Sequence, residues 1–137
     1  MSVAEDPIVK SAARWFWWIA GLSLVNTVML HSGSNTNFVM GLAMTTVVGL
    51  AFAQAIGVGI AITAVILGFY VAMGVYAQRG KLWAFYAGLA VYAVDALICA
   101  SFEDWMAAGF HALAIFFIAR GVTRIRELER MPTAEGA

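Results

Sequence analysis

The sequence predicts an all-α integral membrane protein: a bundle of four crossing helices plus one helix that enters the membrane without crossing it. Three observations predict it. Hydrophobic residues make up 63% of the 137-residue chain and charged residues 12%, about half the charge of a typical soluble domain. The mean hydropathy is +0.85. The apolar residues also fall in long runs separated by short polar breaks, at lengths that fit membrane spans.

The first polar stretch, 1–13, is expected to lie outside the bilayer, on the cytoplasmic side. No small-residue cleavage pattern marks a signal peptide. "WFWWIAGLSLVNTVML", Trp15 to Leu30, is the first span, and Trp15, Trp17 and Trp18 are expected to form an interfacial aromatic belt. "HSGSNTN", His31 to Asn37, reads as a loop rich in turn residues. Phe38 to Gln78 then holds no charged residue and is too long for one span. The natural break is Ala53 to Gly59, giving helices from about Phe38 to Ala55 and from about Gly59 to Gln78. "QRGK", Gln78 to Lys81, is a turn. Leu82 to Ala100 crosses next, "SFED" turns the chain, and Trp105 to Val122 crosses back. The bundle thus spans 14–122, and the charged tail, 123–137, is cytoplasmic and helical in part, with i,i+3 pairs Arg126–Glu129 and Glu127–Arg130.

All eight Lys and Arg fall at Lys10 and Arg14, Arg79 and Lys81, Arg120, and the tail. Placing every one inside satisfies the positive-inside rule. Both termini are then cytoplasmic and the number of crossings is even. The uncharged Phe38–Ala55 helix is the one that stops short. The alternative is five crossings with the N-terminus outside. Two runs of small residues, Gly41–Thr45–Gly49–Ala53 and Ala64–Gly68–Ala72, are expected to be close-packing seams.

Asp95 lies within an apolar span, where a carboxylate is costly. At 1.5 Å per residue, Asp95 and His111 sit about 9 Å from the outer ends of two consecutive helices. Asn26 and Thr45 fall near the same level. These residues, with Tyr92 one turn from Asp95, are the candidates for ligand binding or proton relay. The simpler reading of the same layer is structural glue between helices. A metal site from His31, Asp104 and His111, with Asp95 nearby, is the lesser reading, because Ser101 and Asp104 also suit a capping box. The single cysteine, Cys99, excludes an internal disulfide. The motifs of common hydrolases and nucleotide-binding enzymes are absent. No enzymatic activity and no cofactor are expected. Zero net charge argues against nucleic acid. The expected partners are membrane lipids, with homo-oligomerisation allowed.

"WFWWIAGLSLVN", Trp15 to Asn26, and "WAFYAGLAVYAVDAL" with "DWMAAGFHALAIFFIARG", within Trp83 to Gly121, resemble a group of small bacterial integral membrane proteins that has no assigned function. The resemblance covers about half the chain. Its pattern pairs an in-membrane aspartate, Asp95 here, with a block matched by Asp104, Trp105, Gly109, Phe110 and His111. It implies a multi-pass protein of the bacterial inner membrane and no particular activity. The middle, Phe38 to Gln78, is less similar and lacks an acidic residue, which argues against metal binding or transport there. The expected function is that of a structural or accessory membrane subunit. The alternative is a transporter, channel or lipid-binding protein that uses the Asp/His layer.

Overall fold

The computed structural model describes residues 2–32 and 43–131. Within them the chain is helical, with no strand. A short 3-10 turn, Val3–Glu5, precedes α1 (Pro7–His31), α2 (Ala43–Ala51), α3 (Ile56–Gln78), α4 (Leu82–Ser101) and α5 (Trp105–Arg130). Three of these, α3, α4 and α5, are long and apolar enough to cross a membrane.

The first helix begins at Pro7, well before the expected Trp15. Asp6 explains why. Its carboxylate accepts from the backbone N–H of Ile8 at 2.9 Å and Val9 at 3.3 Å, and Pro7 occupies the first helical position. An N-cap followed by proline is a helix start. Residues 7–13 are therefore helix and not a loose polar segment.

Each long helix lies beside antiparallel neighbours: α1 against α3 and α5, and α4 against the same two. The centre of this four-helix bundle is aromatic. Phe16 is fully buried between Tyr70 and Phe85. Close approach is set by glycines. A Cβ added at Gly88 would run into the Phe16 ring, and one at Gly74 into the Trp17 indole. At Gly121 it would sit 2.5 Å from the Ala12 Cβ and 2.8 Å from the Phe85 ring.

These are not the seams expected from small-residue spacing. Gly68 has open space where its Cβ would stand, and Ala64 is exposed. The buried stripe of α3 is Gly59, Thr63, Tyr70, Met73, Gly74 and Ala77; Ala64 and Gly68 are exposed, and of the expected run Ala72 alone, half-buried, packs against the core. Small residues spaced four apart arise readily in so alanine-rich a helix, whereas the face carrying tyrosine and methionine buries more surface. In the other run Thr45 is buried but Ala53 is exposed, and Gly41 lies outside the described residues. The three tryptophans of the expected belt have different surroundings. Trp17 donates from Nε1 to the Val71 carbonyl at 3.2 Å, and Trp15 stacks on Phe117 at 5.4 Å with the planes 6° apart. Trp17 and Trp18 are exposed, at 41% and 62%, and Trp15 is half-buried.

The break between α2 and α3 falls where glutamine and alanine interrupt the apolar run, with α3 starting at Ile56. The nine residues of α2 span about 13 Å, less than half of a hydrocarbon core of about 30 Å. This short helix packs against α1, α3 and α4. The part of the expected helix before Ala43, and the loop from residue 33 on, lie outside the described residues. The turn at Gln78 to Lys81 is present, with Gly80 at φ 77°.

The end where α1 starts, α3 ends, α4 starts and α5 ends is tied together. Asp6 Oδ2 accepts from Arg124 Nε at 2.9 Å. Gln78 Nε2 donates to the Lys10 carbonyl at 3.1 Å. The helix α5 continues without interruption into the charged tail. There the i,i+3 pair is Arg124–Glu127 at 3.4 Å; among the described residues the expected pairs Arg126–Glu129 and Glu127–Arg130 are not formed.

Candidate functional site

Asp95 stands about 20 Å along α4 from Leu82 and is fully buried. Helical spacing puts Gly88, Tyr92, Asp95 and Cys99 on the inward stripe of α4. The helix α5 presents Ala107, His111, Ala114 and Ile118 in the same way. Because the two helices are antiparallel and joined by the short turn at Phe102 to Asp104, His111 meets Asp95. Nε2 lies 2.6 Å from Oδ2, with neither side chain accessible to solvent.

The rest of the Asp95 shell is backbone. The N–H of Ala43 donates to Oδ2 at 2.9 Å and the N–H of Met44 to Oδ1 at 2.8 Å. These are the first two N–H groups of α2, which have no partner within their own helix. The carboxylate therefore caps α2 from another helix, at the positive end of its dipole. One side chain thus joins α2, α4 and α5. Sequence reasoning identified the His111 partner and missed the backbone donors, because an N–H group has no residue signature. One signal was available. No Ser, Thr, Asp or Asn occupies the four positions before Ala43, Val39 to Leu42, so a helix starting there needs a cap from elsewhere.

The hydrogen bonds fix the imidazole. Nδ1 lies 2.7 Å from the Ala107 carbonyl. A carbonyl only accepts, so Nδ1 carries a hydrogen and donates. A single proton then lies between Nε2 and Oδ2, and the bond holds with that proton on either atom. The Tyr92 ring covers the imidazole, with centroids 4.4 Å apart and planes at 20°.

The remaining candidates are placed as follows. Asn26 donates from Nδ2 to Thr46 Oγ1 at 2.9 Å, linking α1 to α2 and not joining Asp95. Thr45, next to Met44, is buried. Tyr92 orients the pair by stacking, while its hydroxyl, like that of Tyr70, is buried without a hydrogen-bond partner among the described residues. Asp104 is exposed and caps α5 by accepting from the Ala107 N–H at 3.1 Å. Its expected box with Ser101 is not formed, because Ser101 is the last residue of α4 and its hydroxyl donates to the Leu97 carbonyl at 2.9 Å. The His31 side chain lies outside the described residues. The expected metal set of His31, Asp104 and His111 is therefore not assembled at one point by Asp104 and His111.

Chemically, the buried cluster is Asp95, Cys99 and His111, with one donor atom from each within 4.8 Å of the others. Cys99 Sγ lies 4.0 Å from Nδ1. This set fits a metal poorly. His111 Nε2 is hydrogen-bonded directly to Asp95 Oδ2 at 2.6 Å, which leaves no room for an ion between these two donor atoms.

The chain matches no family model, no curated protein and no solved structure.

Proposed function

We propose that this chain is a multi-pass protein of a bacterial inner membrane and acts as a structural or accessory membrane subunit. In this reading α1, α3, α4 and α5 cross, α2 is embedded without crossing, and both termini are cytoplasmic. The clustering of basic residues toward the end that holds Asp6, Gln78 and Arg124 supports that orientation. The 25 residues of α1, about 37 Å of helix, are long enough for the fourth crossing. The bacterial setting rests on the sequence resemblance.

One observation carries the structural role: Asp95 spends its hydrogen bonds on His111, Ala43 and Met44. That is the coordination of a fastener, not of a site waiting for a ligand. A second reading, proton-linked transport, draws on the single proton shared by Asp95 and His111 and on the half-length α2, since half-helices that end inside the bilayer are common at transport sites.

The test combines stability with flux. Asp95→Ala and His111→Ala should each lower unfolding free energy in detergent by about 2–4 kcal/mol, because each strands buried polar groups. The double variant should cost less than the sum. Proteoliposomes of the wild type should show no proton or cation flux above empty vesicles. Flux that disappears in Asp95→Asn while melting is unchanged would replace the structural reading with the transport one.

A further inference from the structure

The outer face shared by α1 and α5 holds a feature that the Asp95 cluster does not use. Ser11, Trp15, Trp18 and Leu22 form one stripe along α1 by their spacing of three and four residues. Across from them α5 presents Phe110 and Phe117. Two hollows flank Trp15. The larger, about 440 Å³, runs from Arg14 past Trp18 to Leu22 and Phe110. The smaller, about 160 Å³, lies between Ile8, Phe117 and Arg120. Ser11 and Trp15 belong to both. The Trp15 ring is held in place between Phe117 at 5.4 Å and Phe110 at 6.4 Å.

The charges are uncompensated. Arg14 and Arg120 are exposed and have no ion-pair or hydrogen-bond partner among the described residues, whereas Arg124, further along α5, is paired with Asp6 and Glu127. Two guanidinium groups from different helices therefore border the hollows that share Ser11 and Trp15, Arg14 the larger and Arg120 the smaller. Guanidinium suits a phosphate oxygen geometrically. The trough below it faces away from the bundle and offers only apolar and aromatic walls. A ligand that is anionic at one end and aliphatic along the rest matches both halves.

We infer that the α1–α5 face is a binding site for an anionic phospholipid, with its phosphate at Arg14 and Arg120 beside Ser11 and an acyl chain laid along Trp18, Leu22 and Phe110. A soluble anion would use the arginines and leave the trough empty. A zwitterionic lipid would fill the trough with a choline cation next to two arginines. Basic residues near an anionic leaflet gain about 1 kcal/mol each from the surface alone, so a diffuse attraction has to be separated from a site.

The test is thermal unfolding of the purified full chain in a neutral detergent with added lipid. Phosphatidylglycerol should raise the melting temperature by roughly 5 °C, and phosphatidylcholine should not. Arg14→Gln with Arg120→Gln should abolish the rise without lowering the lipid-free melting temperature, since neither side chain has a partner among the described residues. Restoring the charge as Arg14→Lys with Arg120→Lys should recover part of it. Arg79→Gln with Lys81→Gln removes the same charge from the turn and should leave the rise intact. Loss of the rise in that turn variant, its persistence in the Arg14 and Arg120 variant, or no rise at all would overturn the site. So would an equal rise with inorganic phosphate, or a melting point that climbs with protein concentration without lipid, which would assign the face to a second copy.

Discussion

Two tyrosines in the core behave differently from the residues around them. Tyr70 and Tyr92 are among the largest fully buried side chains, and their rings meet edge to face at 6.3 Å. Yet their hydroxyls have no hydrogen-bond partner among the described residues. An unsatisfied buried hydroxyl costs about 1–3 kcal/mol. Tyr92→Phe keeps the ring that covers His111 and removes the hydroxyl. Its expected effect on unfolding in detergent is neutral to stabilising, and Tyr70→Phe should act the same way. A loss of more than about 1 kcal/mol in either variant would show that the hydroxyl has a partner and that Tyr92 serves the Asp95 pair through its oxygen. The Asp95–His111 pairing was legible from counting residues inward from one turn. The roles of the tyrosine rings were not, because stacking depends on which way a helix face turns, and periodicity gives only that Tyr92 shares a face with Asp95.

Among the elements, glycine position decides which helices touch. Gly88 faces the Phe16 ring and Gly68 faces open space. Gly88→Ala should therefore cost about 1–3 kcal/mol by overpacking. Gly68→Ala should cost nothing, and a small gain is expected from helix propensity. Equal melting of the two variants would contradict the placing of the Phe16 ring against Gly88. Helix number, the α2–α3 break and the α3–α4 turn all followed from run lengths and breakers. The seams did not, because small residues recur at spacing four on more than one face of α3, and only the partner surface distinguishes them. Asp-Pro at positions 6 and 7 was a readable helix start that hydropathy alone overlooked, since the first turns of α1 are polar.

At the scale of the whole molecule, Asp6 fastens the beginning of the chain to α5. Burial alone would raise its carboxyl, but the Arg124 guanidinium and the N–H groups of Val9 and Ile8 outweigh that and hold it below the ordinary carboxylate value. A depressed folded-state value means stability that is complete above the unfolded value of about 3.9 and fades as pH falls through the lower folded one. Arg124 stays charged throughout. The wild type should therefore melt higher than Asp6→Asn at pH 7, by a margin constant down to about pH 5 that shrinks as the pH falls through the unfolded value of about 3.9 toward the lower folded one. A margin independent of pH would remove the ion pair as its cause. Orientation is tested in a Cys99→Ala background, with single cysteines at Ser2 and Phe102. These should label from opposite sides of the membrane in right-side-out and inverted vesicles. Labelling of both from one side would exclude an odd number of crossings between them.

The cap on α2 also has a consequence in time. The N–H groups of Ala43 and Met44 are made more than fifty residues before the aspartate that receives them, and His111 follows later still. While the ribosome is extending the chain, Asn26 of α1 can already reach Thr46, but the first two N–H groups of α2 have no carboxylate to receive them. Its cap is completed only once the hairpin of α4 and α5 has been delivered: the last pair of helices to be synthesised supplies what the start of the second lacks.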